Sequence, residues 1–219
     1  PGAWVGQTPE EVTVEAVADT VILPGIAAGL NFGPHPVINI GHQDNTTNPP
    51  AVGLFRFDLS AIAVNGAVDP TRLRGLRLVL HQADVADACA PNCGSCASIH
   101  RAGEFAFQLL RSDWGENAAT WKYHKTGAPW SAPGADGSLD HGIELGRGHF
   151  TVGQPLTLES TLCRQALQAQ GGSWLRNKQL SLRVRSLGGK IVAATRNQPD
   201  PACGGTVYTK PTLMISYCR

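Results

Sequence analysis

Residues able to do acid–base or nucleophilic chemistry are scattered along this 219-residue chain without a shared spacing. Hydrolysis of a glycosidic bond needs two carboxyls facing each other roughly 5 to 10 Å apart. Glu10, Glu11, Asp84, Asp87, Asp113, Glu116, Asp136, Asp140 and Glu144 contain no spacing that singles out such a pair. There is no Gly-x-Ser-x-Gly elbow and no His-Glu-x-x-His. His35, His42, His81, His100, His124, His141 and His149 form no i, i+2 or i, i+4 pair. They read as surface or loop residues rather than a copper or zinc site. The chemistry-bearing residues therefore argue against an enzyme.

Six cysteines carry a different message. Cys89, Cys93, Cys96, Cys163, Cys203 and Cys218 are an even number in a chain rich in glycine and proline, which predicts disulfides in an oxidising compartment. Six cysteines allow 15 connectivities, and the sequence does not choose among them. The run Cys-Ala-Pro-Asn-Cys-Gly-Ser-Cys also has a metal reading, as an iron–sulfur spacing or as zinc with His81 or His100. A structural zinc needs four fixed ligands, and the usual second knuckle is missing. An iron–sulfur enzyme of the radical type needs an α/β barrel, and no β-α alternation is visible.

Aromatic side chains are the candidates for binding. A flat ring with a polar tip stacks on sugar rings, and Trp4, Trp114, Trp121, Trp130, Trp174, Tyr123 and Tyr208 supply the inventory. Trp130 and Tyr123, flanked by Gly and Pro, are the expected exposed platforms, with Trp174 as a third. Asp19 and Asn31 are the oxygen donors proposed for a structural calcium, which requires six to eight oxygens in all. No other cofactor is expected.

These residues have to be positioned by strands. Val52 to Ile62 alternates with period two: Phe55, Phe57 and Leu59 share one face, and Leu54, Arg56 and Asp58 the other, which predicts a half-buried strand. Arg56 and Asp58 then form a structural ion pair that supports the sheet. Val12 to Val17, Thr20 to Leu23, Val37 to Ile40, Leu73 to His81, Phe105 to Leu110, Leu180 to Arg185, Ile191 to Thr195 and Thr212 to Tyr217 read as further strands. Gly134 to Gly148, dense in Gly and Asp, reads as loop. Ser160 or Thr161 caps one short helix that ends at Gly171-Gly172. About ten strands joined by turns predict an all-β jelly-roll β-sandwich.

Composition bounds the partners. The net charge of +1 leaves no basic stripe for nucleic acid, and no run of about 18 apolar residues spans a membrane. The chain opens at Pro1, as a mature product of signal-peptide cleavage does and as a trimmed chain also does. Asn45-Thr46-Thr47 is a glycosylation acceptor triplet in a host that glycosylates. The expected location is secreted, extracellular or at the cell surface.

Several motifs in order carry a family resemblance. Ala18-Asp19-Thr20, Asn31-Phe32-Gly33, Ile38-Asn39-Ile40-Gly41 and Leu54-Phe55-Arg56-Phe57-Asp58-Leu59-Ser60 are followed by Trp114-Gly115-Glu116, Thr120-Trp121 and Lys210-Pro211-Thr212-Leu213-Met214-Ile215-Ser216-Tyr217. Together they resemble the DNRLRE-type domain over about residues 12 to 218. The resemblance implies a jelly-roll β-sandwich of secreted and surface proteins, a group that includes carbohydrate-binding modules. It places Trp114 and Trp121 in the structural core. The chain departs from the pattern in the cysteine-bearing insertion near 83–98 and in an N-terminal extension over residues 1–11, which leaves residues 12–219 as a single domain.

Two functions follow as expectations. One is a non-catalytic secreted module that binds polysaccharide. The other is a structural subunit whose partners are copies of itself, assembling into a fibre or surface layer by addition of the N-terminal segment to a neighbour's sheet edge.

Overall fold

The computed structural model describes residues 9–42, 48–83, 100–160, 175–197 and 209–218. The N-terminal segment 1–8, the glycosylation triplet at Asn45, the cysteine loop, the helix expected from Thr161, Trp4, Trp174, Tyr208 and the cysteines at 89, 93, 96, 163 and 203 lie outside the described residues. Thirteen strands are described: β1 (Glu10–Ile22), β2 (Val37–Gly41), β3 (Val52–Asp58), β4 (Leu73–Leu80), β5 (Gly103–Leu110), β6 (Tyr123–Lys125), β7 (Ala128–Pro129), β8 (His141–Phe150), β9 (Leu156–Ser160), β10 (Leu175–Arg176), β11 (Gln179–Ser186), β12 (Lys190–Ala194) and β13 (Thr212–Tyr217). Three of them are stubs of two or three residues; of the ten longer strands, β8 and β9 are not expected from the periodicity, and β1 joins two runs that read as separate strands. Helical structure among the described residues is limited to four three-residue 3-10 turns. The protein is all-β.

Eight strands pair antiparallel in the order β11-β3-β1-β13-β4-β9-β8-β5, and β5 pairs back onto β11, so the sheet closes on itself. β1 makes the closure work. Its first half, Glu10 to Glu15, pairs with β13, and its second half pairs with β3, with a register shift between Ala16 and Ala18. The two apolar runs read separately in the sequence are thus one strand that changes partner at a bulge, which is how a strand bends from one layer into another. A smaller sheet of β2 and β12 joins the end of β4 through the bridge between Gln82 and Ala193.

The closed sheet encloses one large core. Phe55, Phe57, Leu59, Phe105, Phe107, Phe150, Leu158, Leu182 and Val184 all belong to it. Each buried Phe or Leu contributes roughly 2 to 3 kcal/mol. The expectation that β3 is half-buried needs correction at Leu54. Leu54 and Val52 are buried as well, because a segment carrying Trp114, Ala119, Trp130 and Ala135 covers the outer face of β3 and forms a second core with them.

The glycine-rich stretch 134–148 is also corrected, since its second half is strand β8. A Cβ on Gly146 would sit 1.7 Å from the carbonyl oxygen of Glu159, and one on Gly148 would sit 2.0 Å from that of Thr157. These glycines permit close approach of β8 to β9 rather than marking a loop.

Candidate ligand-binding cleft

The segment covering β3 is assembled from side-chain bonds to remote strands. Trp114 is buried, its Nε1 donates to Ser181 Oγ at 3.2 Å, and the Arg56 guanidinium carbon lies 4.8 Å from the ring centroid. Arg56 also donates to Asp113 Oδ1 at 3.2 Å and to the Trp114 carbonyl. Burial lowers the Arg56 pKa from its ordinary value, against the attraction of Asp113 and Glu116. The expected pair of Arg56 with Asp58 does not form. Asp58 sits at the exposed end of β3, where Oδ1 accepts the Ser60 amide at 2.9 Å and the Ser60 hydroxyl at 2.6 Å, starting the 3-10 turn that ends the strand.

Glu116 anchors the next turn. Its Oε1 accepts the Asp19 amide at 3.1 Å and Arg196 Nε at 2.8 Å, and its Oε2 pairs with Arg196 Nη2. Asn31 Nδ2 donates to the carbonyls of Glu116 and Ala119 at 2.7 and 2.9 Å. Asp19 Oδ2 accepts the Arg196 amide at 2.7 Å, whereas Asp19 Oδ1 is buried without a partner. Burial raises the Asp19 pKa to about 7, with the Glu116 charge adding to the rise and the Arg196 amide opposing it.

The calcium candidates Asp19 and Asn31 therefore meet in one cluster. Their oxygens are largely committed, however: Asn31 Oδ1 accepts the Gly33 amide at 3.2 Å, and the Glu116 carboxylate holds Arg196. One unpartnered oxygen falls short of the set that calcium needs. Among the described residues, no group of three or more His, Cys, Asp or Glu is placed to hold a metal ion.

Trp130 is corrected from platform to core. It is 5% exposed, and its Nε1 donates to the Thr120 carbonyl at 2.8 Å, so the ring packs into the second core while Gly127 and Pro129 beside it stay exposed. Tyr123 is 41% exposed on β6. Cys218 is corrected as well. It is a buried free thiol, and its backbone is held at both ends by Arg72, whose carbonyl accepts the Cys218 amide at 2.9 Å and whose Nε donates to the Cys218 carbonyl at 2.7 Å.

The aromatic residue that does line a cleft is Trp121, which sequence reasoning assigned to the core. Part of it packs on the second core, and Gly134 lies so close that a Cβ there would sit 2.6 Å from the ring. The rest faces a cleft of about 340 Å³ formed with Pro49, Pro50, Pro133, Asp136, Arg183 and Arg185. Arg183 and Arg185 stand two apart on β11, so the strand period puts both on the outer face. Arg183, 4% exposed, donates through Nη1 to Gln108 Oε1 at 2.7 Å and through Nη2 to Asp136 Oδ1 at 2.8 Å. Arg185 Nη2 donates to Glu144 Oε2 at 3.1 Å. Burial lowers the Arg183 pKa from its ordinary value, with Asp136 opposing the fall. The Nε of each arginine is buried without a hydrogen-bond partner.

Asp140 fixes the wall opposite β11. It accepts from the Ser131 amide and hydroxyl, the Ala132 and Gly137 amides and the Ser112 hydroxyl at 2.7 to 3.2 Å. Burial alone raises its pKa, but these hydrogen bonds, led by Ser131, outweigh burial and hold it below the usual carboxylate range. The wall carrying Pro133 and Asp136 is thereby set at a defined distance from Trp121, whose carbonyl accepts the Gly134 amide at 2.8 Å.

Sequence reasoning had one usable signal for this cleft, the alternation that puts two arginines on one face of β11. It had none for Pro133 and Asp136, which reach the cleft only through the covering segment, or for Pro49 and Pro50, which lead into β3. No family model matches the chain, and no curated protein matches it.

Proposed function

We propose that this chain is a non-catalytic extracellular module that binds polysaccharide in the Trp121 cleft. The observation that carries the reading is the placement of a part-exposed indole beside two arginines and a carboxylate on a preformed wall. An apolar ring face with a few convergent polar groups is the usual make-up of a sugar site. Both carboxylates nearest the cleft are bonded to arginines, which suits recognition better than acid–base chemistry. The cysteine content supports secretion.

We read the architecture further as a jelly roll. Its support is β1, which passes from β13 to β3 at a bulge, as a strand that crosses from one layer to another does. The DNRLRE-type resemblance belongs to the same proposal. Its support is that Asp19, Asn31, Arg56, Trp114 and Glu116, taken from motifs far apart in the chain, converge on one bonded cluster. The fibre-subunit reading depends on the N-terminal segment 1–11, of which residues 1–8 lie outside the described residues while Glu10 and Glu11 pair with Tyr217 and Ser216 of β13 in the same chain, and no observation favours it.

Retardation in native gels containing single polysaccharides tests the module. Binding to at least one polysaccharide, lost in Trp121→Ala with the fold intact, is the expected result. Absence of retardation across a broad panel, or full binding by Trp121→Ala, overturns it.

A further inference from the structure

Resting on the polysaccharide-binding reading, we propose that the Trp121 cleft selects an uncharged sugar presenting vicinal hydroxyls, in preference to a uronate or sulfated sugar. The arginines that would attract an anion already have partners. Both terminal nitrogens of Arg183 are engaged, by Gln108 and by Asp136, and Arg185 is bonded to Glu144, which also accepts Arg147 Nε at 2.6 Å. A ligand carboxylate would have to displace these partners and then lie beside them.

Asp136 is the deciding residue. It lines the cleft with its side chain 69% exposed, so a fixed negative charge faces any ligand there. An anionic sugar meets repulsion at that point. A neutral sugar meets an acceptor next to a donor, because the exposed Asp136 carboxylate and the part-exposed Arg185 guanidinium both line the cleft. A hydroxyl both donates and accepts, so two adjacent hydroxyls can bond to a carboxylate and a guanidinium side by side. The prolines and Trp121 add an apolar wall for the ring's C–H face.

The test compares the whole chain on galactomannan, xyloglucan and laminarin with its behaviour on polygalacturonate, alginate and chondroitin sulfate, at about 50 mM and about 500 mM NaCl. Binding to a neutral polysaccharide that is insensitive to salt is expected. Asp136→Asn should weaken it roughly tenfold by replacing a charged acceptor with a neutral one. Binding confined to acidic polysaccharides, lost at the higher salt and strengthened in Asp136→Asn, overturns the inference and leaves the module standing. Binding to neither class overturns both. The salt comparison on the unaltered chain decides the matter even if Asp136→Asn fails to fold.

Discussion

Asp19 and Glu116 are 97 positions apart in the chain, yet the Glu116 carboxylate accepts the Asp19 amide at 3.1 Å. The contact falls just after the bulge where β1 leaves β13, so a side chain takes up a backbone donor in the half of β1 that has left the β13 ladder. It ties the covering segment, and Trp121 with it, to the barrel.

Glu116→Ala should therefore destabilise the protein by roughly 3 kcal/mol, since it strips partners from the Asp19 amide and from the Arg196 guanidinium at once. Urea denaturation measures the loss. Stability within about 0.5 kcal/mol of the parent would show that the cluster does not anchor the segment.

Asp19 makes stability depend on pH. Its folded-state pKa of about 7 lies above the ordinary value of 3.8, so the folded protein holds a proton that the unfolded chain releases. The stabilisation is fully present below the unfolded value and is lost as pH rises through about 7. The full span amounts to at most about 4 kcal/mol. Melting temperatures of the parent, compared with those of Asp19→Asn at each pH, should show a relative decline from acid to neutral pH. A parallel pair of curves would contradict the assignment.

Trp114 and Trp121 should separate cleanly on substitution. Trp114→Ala removes a fully buried ring together with its bond to Ser181 and its stacking with Arg56, at a cost of roughly 3 to 5 kcal/mol. Trp121→Ala, removing a part-exposed ring, should cost clearly less and act on binding instead. Chemical denaturation of the two variants in parallel checks the order, and equal losses would return Trp121 to the core.

Two glycines in strands should behave oppositely. Gly146→Ala forces β8 away from β9, because the new Cβ would lie 1.7 Å from the Glu159 carbonyl oxygen. Gly75→Ala, on β4, meets nothing closer than the Ser216 Cβ at 3.8 Å and should be neutral or stabilising by up to about 1 kcal/mol. Folded yield and denaturation midpoints report both. A well-folded Gly146→Ala would show that the two strands have room to part.

Much of the fold was legible in the sequence. Alternation in Phe55, Phe57 and Leu59, and in Leu180, Leu182 and Val184, is a local steric pattern, so it identified strands and their inner faces without knowledge of partners. The burial of Trp114 agreed with its place in a Trp-Gly-Glu motif. Local pattern could not say what covers an outer face, and that is where the errors cluster. Leu54 and Trp130 are buried, and Arg56 turns to Asp113 rather than Asp58, because a segment more than fifty residues away folds over β3. Gly146 and Gly148 read as loop residues because the carbonyls they make room for belong to β9. The cleft has the same origin. Its prolines, its indole, its carboxylate and its two arginines come from four stretches between residues 49 and 186. By itself the sequence determined an all-β chain with a phenylalanine-rich interior. Which residues share a surface was decided by strand pairing and side-chain anchoring between distant segments, whose energies depend on closure in three dimensions and leave no local period to read.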